Sequence, residues 1–190
     1  MTSRAIILTV GLAGLIATSL ALLYISESTS VIQKDGNGIG DTISASGYVI
    51  VSVVREGKEI YHYEDPNLIT NAGLDFISAQ IGSTSTGANG ANYIALSSDS
   101  TAPAVTDTTL TGEISGNGLD RAQGTYSHTA ATNTFTVQEV FTATGTVSAI
   151  QKTGLFTASS GGTMMAENTF SSVNLISGDQ LTITWTITIG

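Results

Sequence analysis

The sequence predicts an all-β protein: an antiparallel β-sandwich or jelly-roll with one short helix, preceded by an N-terminal hydrophobic α-helix. Residues 180–189 alternate between apolar side chains and threonine or glutamine, which is typical of a strand with one buried face. Residues 121–189 hold further β-branched and aromatic segments, separated by short turns of Ser, Thr, Asn and Gly. Charged residues make up 11% of the 190-residue chain, below the roughly 25% of globular domains, which indicates neutral, hydroxyl-rich strand surfaces.

The N-terminal stretch predicts a helix that enters a membrane, because residues 5–25 carry no charge. Three interpretations are open. The stretch is a cleaved signal peptide with Arg4 as its positive region, an uncleaved anchor, or a prepilin-like helix cut between Ala5 and Ile6 and retained for assembly. N-terminal sequencing separates them, because prepilin-like cleavage leaves Ile6 first, whereas a signal peptidase leaves Leu22 or a later residue first.

The domain organisation follows from a change in composition after this stretch. Residues 1–25 form the hydrophobic segment, and residues 26–44 predict a Gly- and Ser-rich linker, since glycine alternates with other residues there. Residues 45–190 predict the all-β domain.

A β-hairpin is expected first in this domain, over residues 46–63 with a turn at 55–58. The Asp65–Pro66–Asn67 segment predicts the end of its second strand, because proline has no N–H to donate.

A short amphipathic helix is expected over residues 72–81. Thr70 or Asn71 is a suitable N-cap, and Gly82 is a suitable C-terminal residue. The face expected to cover one end of the sheets consists of Leu74, Ile77 and Ile81.

The rest of the domain is predicted to be strand and turn. The expected strands are 92–97, 121–129, 134–144, 147–157, 163–170 and 180–189.

Several segments resemble the small β-sandwich domains of phage and prophage structural proteins. They are Asn67–Gly73, Tyr93–Leu96, Thr101–Pro103, Asp107–Leu110, Glu113–Ile114, Gly154–Phe156, Gly162–Met164 and Ser177–Trp185. The resemblance covers residues 67–189 and rests on strand and turn sequences. It implies a virion or tail structural protein, or a cell-surface protein with the same domain. Because virion proteins assembled in the cytoplasm need no export signal, the N-terminal stretch favours an archaeal pilin-like subunit, or a virus whose subunits pass through the membrane.

Composition and motifs argue against several classes of partner and active site. The net charge of −9 disfavours nucleic acid as a partner, and the absence of cysteine excludes disulfides and zinc–thiolate sites. The only histidines, His62 and His128, do not accompany a Gly-x-Ser-x-Gly motif. We therefore expect no enzymatic activity.

Two acidic loops are the candidate metal sites. Asp35, Asn37 and Asp41 resemble a shortened calcium loop, but the fifth and twelfth positions of an EF-hand loop lack their acidic ligands. Asp99 and Asp107 flank a second loop. We expect no cofactor, and calcium at these loops is the alternative.

The sequence thus predicts a non-enzymatic structural subunit of a cell-surface filament or array, which self-assembles outside the cell after membrane insertion. The alternatives are a virion or tail-fibre protein, a membrane-anchored carbohydrate-binding module and a secreted hydrolase. Five tyrosines offer a platform for sugar stacking in the carbohydrate-binding alternative, although cross-strand packing is the more common use of such side chains. They are Tyr48, Tyr61, Tyr63, Tyr93 and Tyr126.

Overall fold

The computed structural model describes residues 44–82 and 90–190, so the predicted N-terminal helix and nearly all of the predicted linker lie outside the described residues. The described part is antiparallel β-structure with one short helix, as predicted. In chain order the elements are β1 (Ala45–Arg55), β2 (Lys58–Ile69), α1 (Asn71–Gly82), β3 (Tyr93–Ser97), β4 (Ala122–Gln123), β5 (Thr125–His128), β6 (Thr134–Thr142), β7 (Val147–Phe156), β8 (Met164–Leu175) and β9 (Gln180–Ile189). Within these two ranges no helix combines the length and apolar character needed to cross a membrane.

The strands form one nine-stranded sheet in the order β4-β3-β7-β8-β2-β1-β9-β6-β5. Strand β2 connects its two halves, because it pairs with β1 along most of its length and with β8 only at Leu68 and Ile69. The two outermost strands, β4 and β5, are consecutive in the chain, so the sheet is nearly closed. The larger of two apolar clusters in the described residues draws on both halves and includes Val49, Leu96, Leu155, Leu175 and Ile183.

Strand β9 fits its prediction residue for residue. It lies between β1 and β6, in register with both, so it pairs within its own chain as expected. Leu181, Ile183, Trp185 and Ile187 are fully buried, because the period of two places every second residue on the core face. Ile189, at the end of the strand, is partly buried. The prediction for β8 was too short, since that strand runs to Leu175 rather than to residue 170.

The strand predicted at 121–129 is instead two strands. Strand β4 pairs with β3, whereas β5 pairs with β6, and Gly124 lies between them. A Cβ atom on Gly124 would lie 2.7 Å from Val137 Cγ1 and 2.9 Å from the carbonyl oxygen of Gln138. Glycine therefore lets the chain pass close to β6 as it changes partners.

The prediction that residues 65–67 end the second strand was wrong, because β2 continues to Ile69. Pro66 pairs with Tyr48 of β1, but β8 joins the other side of β2 only from Leu68 onwards. Proline is tolerated at a position with a free edge, where its missing N–H interrupts no second ladder.

Helix α1 begins as predicted, with Thr70 as its N-cap. The Gly73 N–H donates to Thr70 Oγ1 at 2.9 Å, and the Thr70 hydroxyl itself donates to the carbonyl oxygen of Met164 at 2.6 Å on β8. The cap therefore also attaches the helix to the sheet.

The predicted inward face of α1 was wrong in two of three positions. Leu74 is 46% exposed and Ile81 is 67% exposed, whereas Phe76 and Ile77 pack against the core. Gly73 decides the orientation, because a Cβ there would lie 2.2 Å from the carbonyl oxygen of Met165. Residues three and four positions after Gly73 share its face of the helix, which leaves Leu74 and Ile81 to one side.

We expect Gly73→Ala to destabilise the domain by about 1–3 kcal/mol, because the added methyl group meets β8 backbone that cannot move aside cheaply. Gly82→Ala is the matched control at the other end of α1, where a Cβ would have no neighbour within 4 Å. Urea unfolding of both variants measures the difference. Equal midpoints would contradict the close approach of α1 to β8.

Candidate functional site

A buried cluster of charged side chains lies where β7 and β8 meet the loop after β3. Lys152 of β7 is 3% exposed and Glu167 of β8 is 1% exposed. The loop brings Asp99 and Asp107 to them. Charged groups are rarely buried so fully unless they are paired or functional, which makes this cluster the main candidate site of the described residues.

Lys152 is the cation of the cluster. Its Nζ donates to Asp99 Oδ2 at 2.7 Å and lies 3.8 Å from Glu167 Oε2. Asp99 is held from two further directions: its Oδ1 accepts from the Thr101 hydroxyl at 2.9 Å, and its backbone N–H donates to Ser97 Oγ at 2.9 Å. The hydrogen bond from Lys152 keeps the pKa of Asp99 below its usual range.

Glu167 and Asp107 are hydrogen-bonded carboxyl groups of unequal acidity. Burial, followed by the hydrogen bond to Asp107, raises the pKa of Glu167 to about 7. The same hydrogen bond lowers the pKa of Asp107. The Ala104 N–H donates to Asp107 Oδ2 at 2.9 Å and to Glu167 Oε1 at 3.2 Å. Glu167 therefore carries the proton that the two carboxyl groups share.

The raised pKa of Glu167 predicts that stability falls as pH rises. The folded protein binds this proton more tightly than the unfolded chain, so the contribution is complete below the unfolded pKa near 4.5 and is lost as pH passes about 7. We expect the free energy of unfolding to drop by on the order of 2 kcal/mol between pH 5 and pH 8 relative to Glu167→Gln, which has no proton to lose. Urea titrations at both pH values measure this. If the free energy of unfolding changed equally with pH in the wild type and in Glu167→Gln, the result would contradict this prediction.

Of the residues predicted to bind a metal, only Asp99 and Asp107 lie in the described part of the chain. Asp99 and Asp107 lie in the same cluster, where Asp99 binds the ammonium group of Lys152 and Asp107 binds Glu167 and a backbone N–H. In the ranges 44–82 and 90–190, no three His, Cys, Asp or Glu side chains are grouped as metal ligands. The remaining predicted site residues lie outside the described residues: Arg4, Ala5, Ile6, Asp35, Asn37 and Asp41.

The two central residues of the cluster were not identified from the sequence. The available signal was a charge within an otherwise buried strand: Lys152 precedes Thr153–Phe156, and Glu167 follows Met164–Ala166. A strand with apolar residues on both faces indicates burial on both sides. A charge inside such a strand therefore needs a partner.

Two of the tyrosines pack rather than present a flat aromatic face. Tyr61 and Tyr63 stand against Phe170 with ring centroids 6.5 and 6.1 Å apart. Their hydroxyls donate to the backbone carbonyls of Ser171 and Thr169, both at 2.9 Å. They thereby bridge the region in which β2 and β8 no longer form a ladder.

An open apolar groove of about 700 Å³ is the second surface feature, and it lies between α1 and the neighbouring strands. The described lining contains no charged side chain. Its principal apolar residues are Phe76, Ile77, Ile81, Tyr126, Phe135 and Ile189. An adjoining groove of about 550 Å³ shares three of these residues and adds Leu74. The two grooves make one apolar surface at this end of the domain, which we call the α1 groove.

Comparisons with protein families, with curated proteins and with solved structures found no match to this chain.

Proposed function

We propose that this protein is a structural subunit that self-assembles outside the cell into a filament or array, after its hydrophobic N-terminal segment has entered the membrane. The α1 groove is the observation that carries the proposal. The finer architecture we propose is a β-sandwich of the jelly-roll kind, because both halves of the sheet contribute to one apolar core.

The groove supports assembly because it exposes contiguous apolar surface. Ile81 is 67% exposed and Tyr126 is 56% exposed, and both line it. Contiguous exposed apolar surface of this kind typically marks an interaction site. The absence of charge in the described lining favours an apolar partner surface, and in a homo-oligomer that surface belongs to a second copy.

The short edge strands favour the α1 groove as the contact between subunits, rather than pairing between the edges of two sheets. The outermost strands β4 and β5 span only two and four residues. Very short edge strands are one way in which proteins prevent uncontrolled strand addition. Because β4 and β5 offer little backbone for strand addition, assembly through side chains of the α1 groove is the contact that fits this sheet.

The test compares two equivalent substitutions in the full-length chain. Ile81→Asp places a charge in the groove, whereas Ile60→Asp places one on an exposed isoleucine at the opposite end of β2 from α1. We expect both variants to fold, as judged by circular dichroism. We expect electron micrographs of expressing cells to show filaments or arrays for the wild type and Ile60→Asp, and none for Ile81→Asp. Cells without any such assembly, or normal assembly by Ile81→Asp, would contradict the proposal.

The proposal includes proteolytic removal of a short N-terminal leader that contains Arg4 and Ala5, by a cut before Ile6. In a pilin-like subunit the apolar segment at 6–25 is retained after a short leader, which ends at Ala5, is removed. The assembled protein then begins at Ile6, and N-terminal sequencing of filaments extracted from the surface measures this directly. A first residue at Leu22 or later would exclude retention of the segment.

A further inference from the structure

We propose that Lys152 and Asp99 become joined by an intramolecular isopeptide bond, with Glu167 as the residue that moves protons during its formation. The bond would link strand β7 covalently to the loop that follows β3. It goes beyond the proposed function and does not depend on it.

Proximity is the first support. Lys152 Nζ and Asp99 Oδ2 are 2.7 Å apart, and the two side chains are 4% and 19% exposed. Lys152 projects from a strand paired on both sides, and the Thr101 hydroxyl and Ser97 Oγ fix Asp99. Holding two reacting groups in contact replaces a bimolecular encounter and removes much of the entropic barrier to the reaction.

The acid–base group is the second support. Glu167 Oε2 lies 3.8 Å from Lys152 Nζ on the neighbouring strand, and the side chain is 1% exposed. Because its pKa is raised to about 7, Glu167 carries a proton near neutral pH and can release it to a neighbouring atom. Asp107 and the Ala104 N–H hold this carboxyl group in place.

The reaction balances without a cofactor or an oxidant. The ammonium group of Lys152 first transfers a proton to the Asp99 carboxylate, which gives a neutral amine and a neutral acid. The amine nitrogen attacks Asp99 Cγ and forms the C–N bond. Glu167 delivers its proton to the departing hydroxyl as the C–O bond breaks, and it regains a proton from the nitrogen. The products are an amide and one water molecule.

The chain offers a direct test by mass spectrometry, because its six basic residues give few tryptic sites. Without the bond, trypsin cuts after Lys58, Arg121 and Lys152, and releases separate peptides 59–121, 122–152 and 153–190. With the bond, Lys152 is no longer a cleavage site. We then expect peptide 59–121 attached to 122–190, with a total mass lower by one water than the sum of the two.

Variants identify the groups involved. Lys152→Arg keeps the cation but removes the primary amine, so we expect the attached peptide to disappear. Glu167→Gln keeps the size of the side chain but supplies no acidic proton, so we expect the attached peptide to form much more slowly. Lys58→Arg is the control, because Lys58 is exposed, and we expect full linkage. Recovery of separate 59–121 and 153–190 peptides from folded wild-type protein overturns the proposal, whichever variants fold.

Discussion

Trp185→Asp is expected to unfold the β domain. Trp185 is fully buried at the centre of β9, and it lies in register with Val49 of β1 on one side and Val137 of β6 on the other. Removing a buried tryptophan side chain costs about 3–5 kcal/mol, and the new carboxylate adds the cost of an unpaired buried charge. The sum is comparable to the whole net stability of a typical domain, about 5–15 kcal/mol.

Circular dichroism and thermal melting of the purified protein measure this effect. Thr182→Asp is the matched control, because this partly exposed position is on the same strand but on its outward face. We expect the control to fold and Trp185→Asp to aggregate. Deleting residues 180–190 should have the same result as Trp185→Asp, since β1 and β6 then lose the strand that joins them. A truncated protein that stays monomeric with an unchanged melting temperature would show that β9 is dispensable for the domain's own core.

Lys152→Met is expected to destabilise the domain by about 3–5 kcal/mol, the usual cost of removing one partner from a buried ion pair. The substitution leaves Asp99 and Glu167 without their cation. The loss should be smaller at pH 5 than at pH 8, because Glu167, with its pKa raised to about 7, is uncharged at the lower pH. Lys152→Met is also expected to lose stability if Lys152 and Asp99 are joined covalently, since the variant then lacks the isopeptide bond.

Urea unfolding of Lys152→Met at the two pH values measures this loss. Lys58→Met is the control for the same chemical change at an exposed position, where substitutions usually change stability by less than about 0.5 kcal/mol. Adding Glu167→Gln to Lys152→Met should recover part of the stability at pH 8, because one of the unpaired charges is removed. A Lys152→Met protein as stable as the control would show that the cluster contributes nothing to the fold.

Local patterns determined much of the secondary structure. The alternation in residues 180–189 predicted β9 because a strand with one buried face repeats every two residues. The turn before it, at residues 177–179, is also visible in the sequence. Thr70 was identified as a helix cap because the hydrogen bond of an N-cap is made within a few residues. The coarse class, antiparallel β with one short helix, rests on signals of this kind.

Tertiary structure decided the features that depend on partners distant in the chain. Gly124 divides one predicted strand because it passes β6, and Pro66 stays within β2 because one edge is free there. The orientation of α1 depends on the contact between Gly73 and β8. None of these neighbours is visible in the local sequence.

In the candidate site, too, the sequence determined some features and tertiary structure decided the others. The sequence identified Asp99 and Asp107 as acidic residues that flank a loop, with calcium as the alternative to no cofactor, because carboxylate oxygens are typical calcium ligands. Their actual neighbours, Lys152 and Glu167, come from strands about 50 or more residues later in the chain and were brought to the loop by the pairing of β3, β7 and β8. Charge, burial and proton affinity are properties of that assembled environment, so the sequence determined which groups are present and only the fold determined which of them meet.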